Sequence, residues 1–176
     1  MMIRFLEPAD AEVYRELRLK SLLENPEAFL TTYDIQKEKP IEETRRNLER
    51  SADKFTLGGF ADRHKLVGMV TFIRESNPKI RHKGNIYAMY VAPEARGRRF
   101  GHALLASLLE QAGQCEGLEQ INLAVVSSNA AAKRLYESAG FTVYGTERNA
   151  AKYDGRYWDD DLMVFNLQRR TNGTGG

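Results

Sequence analysis

The sequence predicts one α/β domain: a mixed, mostly antiparallel sheet of about seven strands with helices on both faces. Three observations carry this. The middle of the chain alternates strand, helix, strand, helix, and a strand that returns through a helix lies parallel to its predecessor. The flanking runs are joined by tight turns, Asp62-Arg63-His64 and Asp154-Gly155, which make antiparallel hairpins. Finally, 176 residues with 42% hydrophobic and 28% charged side chains are enough for one domain with its own core. That domain is expected over 1–167. Residues 168–176 (QRRTNGTGG) carry no aliphatic or aromatic group and read as a frayed tail.

Residues 1–7 form the first strand. Pro8 suits a first helical position, and Glu7, Asp10 and Glu12 suit a helix N-terminus. Val13, Leu17, Leu19, Leu22 and Leu23 then follow helical spacing until Asn25-Pro26. A second helix is expected from Ile41 to Arg50, with Ile41, Arg45 and Leu48 on one face. The period then changes to that of strands over Phe55–Phe60 and Leu66–Ile73. A polar loop from Glu75 to Lys83 leads to a third run, Asn85–Val91, stopped by Pro93. Leu104, Leu105, Leu108, Leu109 and Ala112 mark a helix face. Ile121–Val126 is a strand, and Ala132, Leu135, Tyr136 and Ala139 mark a helix ended by Gly140. Thr142–Lys152 and Tyr157–Leu167 pair around Asp154-Gly155.

Composition excludes several classes of function. Cys115 is the single cysteine, so there is no internal disulfide and no cysteine cluster for zinc, and a reducing, cytoplasmic setting is expected. No metal site is expected. The 26 basic and 24 acidic residues nearly cancel, which gives no reason to expect a nucleic-acid or membrane partner. No apolar run reaches the roughly 18 residues that span a bilayer.

The most informative stretch runs from Val91 to Leu105. A strand ends, a loop with Gly97 and Gly101 follows, and an amphipathic helix starts at once. Free N–H groups at a helix start attract anions, and Arg96, Arg98 and Arg99 add charge-assisted donors suited to phosphate oxygens. Neither a Walker A motif nor GxGxxG is present. A solvated basic turn and an arginine-rich RNA contact are the competing readings.

The next strand is followed directly by Ser127–Phe141. Together, Arg96-Gly-Arg-Arg-Phe-Gly101 and Asn129, Ala132, Leu135-Tyr136-Glu137 and Gly140-Phe141 resemble the acetyl-CoA-binding core of the GNAT (GCN5-related) N-acetyltransferases. The element order agrees over about Met1 to Leu167. The resemblance implies a GNAT-like fold with a splayed parallel strand pair, and acetyl-CoA as cofactor. Its first motif, Arg/Gln-x-x-Gly-x-Gly/Ala, is matched at Arg96 and Gly101, while Arg99 stands where the family has its middle glycine. By the same resemblance, loop amides over Arg96, Gly97, Arg98, Arg99, Phe100, Gly101 and His102 hold the pyrophosphate. The main chain of Met89, Tyr90 and Val91 holds the pantetheine arm, Asn129 and Ala132 contact it from across the pair, and Tyr136 lies near the sulfur as general acid.

Acetyl transfer from a thioester needs a neutral amine, donors for the developing oxyanion and a proton for the thiolate. An alkylamine of pKa about 10.4 costs roughly 4–5 kcal/mol to deprotonate at pH 7, so a base or water chain is required. The Val91 amide is the expected oxyanion donor. Residues 85–91 contain no acid, which leaves Tyr87, Tyr90, Glu75 or an acid of the last hairpin as the base. The acceptor, a small-molecule or peptide amine, is expected among Phe29, Tyr33, Tyr87, Tyr153, Tyr157 and Asp159, with Trp158, Asp154, Asp160 and Asp161 nearby. Carboxylates and aromatics would draw a cationic amine there. His64, His82 and Cys115 read as structural or solvated. The resulting expectation is an N-acetyltransferase working by direct attack in a ternary complex, with room for a homodimer. A non-catalytic acyl-CoA-binding sensor is the alternative.

Overall fold

Each run of strand-forming residues becomes a strand in the computed structural model, which describes residues 1–167; the expected tail lies outside the described residues. The strands are β1 (Met2–Phe5), β2 (Lys54–Phe60), β3 (Leu66–Arg74), β4 (Lys83–Val91), β5 (Gln120–Val126), β6 (Thr142–Tyr153) and β7 (Arg156–Asn166). The helices are α1 (Ala11–Glu24), α2 (Tyr33–Glu38), α3 (Ile41–Asn47), α4 (Phe100–Ala112) and α5 (Ala130–Ser138). The sheet runs β1-β2-β3-β4-β5-β7-β6, so the last hairpin inserts its second strand against β5 and leaves β6 at the edge.

Every pairing is antiparallel except that of β4 with β5. That parallel pair is short. Lys83, Gly84 and Asn85 face Gln120, Ile121 and Asn122, and the pairing stops there. Beyond Asn85 the strands diverge, leaving an open wedge between them.

Two apolar clusters bracket the sheet. Leu104, Leu105, Leu108 and Ala112 of α4 and Tyr136 of α5 pack with Val70, Phe72, Ile86, Ile121 and Leu123. Leu17 of α1 packs with Phe60, Val67, Met69 and Tyr90 on the opposite face. Successive β3 residues therefore alternate between the two cores. Gly68 belongs to the α4 side, where an added Cβ would sit 2.7 Å from Leu104 Cδ1. Gly68→Ala is expected to overpack this contact and destabilise by about 1–3 kcal/mol, read as a lowered Tm in a thermal melt.

Sequence and structure differ in four places. The first strand spans Met2–Phe5 rather than residues 1–7. The second helix ends at Asn47 rather than Arg50. An additional helix, α2, is capped by Thr32 Oγ1 accepting from the Ile35 N–H at 3.3 Å. β4 is bulged: its register against β3 shifts between Met69↔Tyr90 and Thr71↔Tyr87, and Ala88 takes φ +53°. One extra residue re-aims the chain at the mouth of the wedge. The turn expected at Asp154-Gly155 is present, with φ +47° and +72°, both positive as a type I′ hairpin demands.

Candidate active site

The start of α4 lacks a cap. Arg99 occupies the cap position with no side-chain hydrogen bond to the helix, and no acid lies in the first turn. The first hydrogen bond to the cap carbonyl comes from Ala103, so the N–H groups of Phe100, Gly101 and His102 have no partner within the helix. By contrast, α5 is capped: Asn129 Oδ1 accepts from the Ala132 N–H at 3.1 Å. Arg98, Arg99 and His102 are exposed, and neither arginine has an ion pair among the described residues. The neighbouring acid, Glu94, is held by Lys20 at 3.0 Å and Lys65 at 3.7 Å. The field at the helix start is therefore positive.

The loop's geometry explains its composition. Gly97 (φ +74°) has nothing within 4 Å of an added Cβ, so conformation rather than space requires glycine there. Gly101 is under packing demand, since a Cβ would lie 3.2 Å from Leu135 Cδ2 of α5. Arg99 adopts φ +61°, the left-handed conformation that a glycine would take freely. It costs an ordinary residue roughly 1–2 kcal/mol. The helix start thus carries a cation at a position whose conformation favours glycine. Arg96 folds back, donating from Nε to the Val91 carbonyl at 2.9 Å, and fastens the loop to the end of β4. Phe100 is buried beneath the helix start.

Strand alternation decides which β4 groups face the wedge. The Ala92 N–H donates to the Val67 carbonyl at 2.8 Å, and Tyr90 lies opposite Met69 in the same phase. The main chain of Tyr90 is therefore engaged with β3, while the amides of Met89 and Val91 point away from it, toward the wedge. The Tyr90 side chain is also turned away: it is buried against α1 and its hydroxyl donates to Glu24 Oε2. Tyr90 thus belongs to the core on the α1 side rather than to the main-chain edge where it was expected.

Tyr136 lies on α5 and packs in the core on the α4 side of the sheet. It is 6% exposed, sits edge-on to Phe141 with centroids 5.8 Å apart, and burial holds its hydroxyl well above the ordinary tyrosine range. The helix is anchored by Asp161 of β7, whose carboxylate accepts from Ser127 Oγ at 2.7 Å, Thr146 Oγ1 at 2.9 Å and Lys133 Nζ at 2.5 Å. These bonds, with that to Lys133 foremost, lower its pKa to about 2. A lowered carboxylate pKa contributes stability above about pH 4, and that contribution fades as pH falls toward the folded value. Asp161→Asn is therefore expected to lower Tm at pH 7 and to flatten its decline between pH 4 and 2, in thermal melts across that range.

The acceptor-side residues separate into two groups. Tyr87 lines a cavity of about 240 Å³ between α1–α3 and the sheet, with Tyr14, Arg18, Thr56, Thr71 and Ala88. Phe29 lies beneath Arg18, whose Cζ is 4.4 Å from the ring centroid. Tyr33 sits at the start of α2 under Lys37. Tyr153 and Tyr157 instead flank the exposed β6–β7 turn. Asp159 is occupied by Arg148 Nη1 at 2.7 Å and the Asn149 N–H at 2.8 Å. Its carboxylate therefore serves the hairpin rather than the cavity. Asp161 serves α5 in the same way. Glu75 accepts from Asn85 Nδ2 at 2.7 Å, and its charge, after burial, raises the Tyr87 pKa.

Arg18, the Thr56–Thr71 pair (Oγ1 to Oγ1, 2.9 Å) and the Ala88 bulge did not stand out in the sequence. An arginine on an amphipathic helix and two threonines in strands carry no signal by themselves. Only the register places the threonines opposite each other.

Residues 18–141 match the sequence model of the acetyltransferase (GNAT) family. The chain is 41% identical over 71 residues to the phosphinothricin N-acetyltransferase of Streptomyces coelicolor, a stretch covering 40% of this chain and 41% of that protein. It is 31% identical over 85 residues to an L-amino acid N-acyltransferase of Escherichia coli, covering 48% and 49% respectively. The matches thus span less than half the length of these relatives. In fold it is similar to a phosphinothricin acetyltransferase from Sinorhizobium meliloti solved with acetyl-CoA, with a TM-score of 0.81 and 20% identity over 97% of this chain and 90% of that one. The family match over most of the chain, and a seven-strand sheet opened between its parallel strands, lead to one conclusion: the protein belongs to the GNAT acetyltransferase family.

Proposed function

We propose that the protein is an acetyl-CoA-dependent N-acetyltransferase that acts on the primary amine of a small molecule by direct attack in a ternary complex. The observation that carries this reading is the uncapped start of α4, with its free amides and exposed Arg98 and Arg99, beside the open edge of β4. The residues fit the donor. Amides of Phe100, Gly101 and His102 with the two arginines suit a pyrophosphate, and the outward amides and carbonyl of Met89 suit an amide-containing arm laid along the strand. Acetyl-CoA supplies the activated acetyl group.

The Val91 N–H, whose own carbonyl is held by Arg96, is the donor for charge on the thioester oxygen. Tyr136, on α5, delivers a proton to the departing sulfur. Asn129 and Ala132 shape the start of α5 through the cap. Tyr87 lines the cavity on the other side of the bulge and, with Glu75 near it, provides the polar exit for the ammonium proton.

Initial rates measured against both substrates test the direct route. Intersecting double-reciprocal lines are expected, and the protein's intact mass is expected to stay unchanged after incubation with acetyl-CoA alone. Parallel lines with a trapped acetyl-protein would overturn it.

A further inference from the structure

Among the described residues, three buried side-chain polar atoms lack a hydrogen-bonding partner: Arg18 Nη1, Thr31 Oγ1 and Trp158 Nε1. A buried unpaired donor costs roughly 1–3 kcal/mol, more when charged, so each of these atoms favours a ligand or an ordered water beside it. Arg18 is the only ion among them. Its guanidinium is stacked on Phe29, has no ion pair among the described residues, and lines the cavity beneath the β4 bulge. Burial lowers its pKa, as befits a largely buried cation with no carboxylate beside it.

The rest of the lining has the same polarity. Lys39 and Lys54 also face the cavity, together with Tyr14, Thr44, Thr56 and Thr71, and no carboxylate lines it. Lys39 is paired with Glu43 at 2.6 Å, which leaves Arg18 and Lys54 as cations without an ion pair among the described residues. A polyamine or a lysine side chain would bring like charge into this space. At about 240 Å³ the cavity is below the roughly 300–1,000 Å³ of pockets for drug-sized ligands, and so fits a small metabolite.

We infer that Arg18 is the anion anchor of the acceptor site, and that the acceptor is an amine carrying a carboxylate, an α-amino acid being its simplest form. This rests on the N-acetyltransferase reading for its biological meaning, though not for its test. A planar guanidinium accepts a carboxylate in bidentate fashion, and fixing that end of the molecule orients the amine toward the bulge at Ala88.

The test is calorimetric titration of the protein saturated with coenzyme A, which has no acetyl to transfer. The probes are the twenty protein amino acids, each paired with its carboxamide. At least one amino acid is expected to bind ten-fold or more tightly than its carboxamide. Arg18→Gln should abolish that preference while acetyl-CoA affinity stays within two-fold, and Arg18→Lys should restore part of it. Equal binding of acid and amide, binding of no amino acid, or a preference that survives Arg18→Gln would each overturn the assignment. Carboxylate-selective binding without coenzyme A release in a turnover assay would leave this inference standing and refute the N-acetyltransferase reading instead.

Discussion

Tyr136→Phe is expected to lower kcat by about 10²–10³-fold while leaving the Kd for acetyl-CoA within two-fold. Phe keeps the ring that packs edge-on to Phe141 at 5.8 Å, so the core loses no volume. Only the hydroxyl goes, and burial keeps that hydroxyl protonated throughout the physiological range, as a proton donor must be. Asp161 and its three partners fix α5 through groups that do not involve the tyrosine. A change in turnover therefore reports chemistry rather than a displaced helix. Single-turnover acetyl transfer combined with calorimetric binding separates the two quantities, and an unchanged kcat would remove Tyr136 from the acid role.

Gly101→Glu is expected to weaken acetyl-CoA binding by about 100-fold. A carboxylate in the first turn of α4 would reverse the local field, occupy the free amides as a cap, and compete for Arg98 and Arg99. The loss of charge-assisted hydrogen bonds worth roughly 1.5–3 kcal/mol gives this order of magnitude. The substitution also crowds Leu135, 3.2 Å from the new Cβ. Gly101→Gln carries nearly the same bulk without the charge, and its affinity should fall less than ten-fold. If the two variants bind alike by titration calorimetry, crowding rather than charge governs the site.

The parts of the fold that rest on local chemistry were readable in the sequence. Asp154-Gly155 announced a turn needing two positive φ angles, and the leucines of α4 announced its buried face. The placement of the arginine loop between β4 and α4 was readable too, because strand, glycines, arginines and helix occur in one uninterrupted stretch. What escaped depends on pairing at a distance. Nothing local to Ala88 marks it for a left-handed conformation, since the bulge is imposed by the register of β4 against β3. The order β5-β7-β6 reflects which strand of the last hairpin buries its apolar face, a choice that both strands' patterns allow. α2 was missed although Thr32, three residues ahead of Ile35, is a recognisable cap.

The acceptor side shows the same divide most sharply. Aspartates and aromatics of the last hairpin looked like an attractor for a cationic amine, yet Asp159 and Asp161 are satisfied by Arg148, Lys133 and nearby hydroxyls. The cavity is built instead from Tyr14, Arg18 and Tyr87, with Thr56 and Thr71, residues far apart in the chain. Its polarity is opposite to that expectation. A composition count cannot distinguish a carboxylate that is free from one that is already paired.

Acetyl-CoA-dependent release of coenzyme A, followed with a thiol reagent across a library of small amines and amino acids, tests the central claim most directly. The account predicts release above the hydrolysis background with at least one amine, equal in amount to the N-acetylated product seen by mass spectrometry. Tight acetyl-CoA binding with no amine-dependent release would contradict it and identify a donor-binding protein without transferase activity.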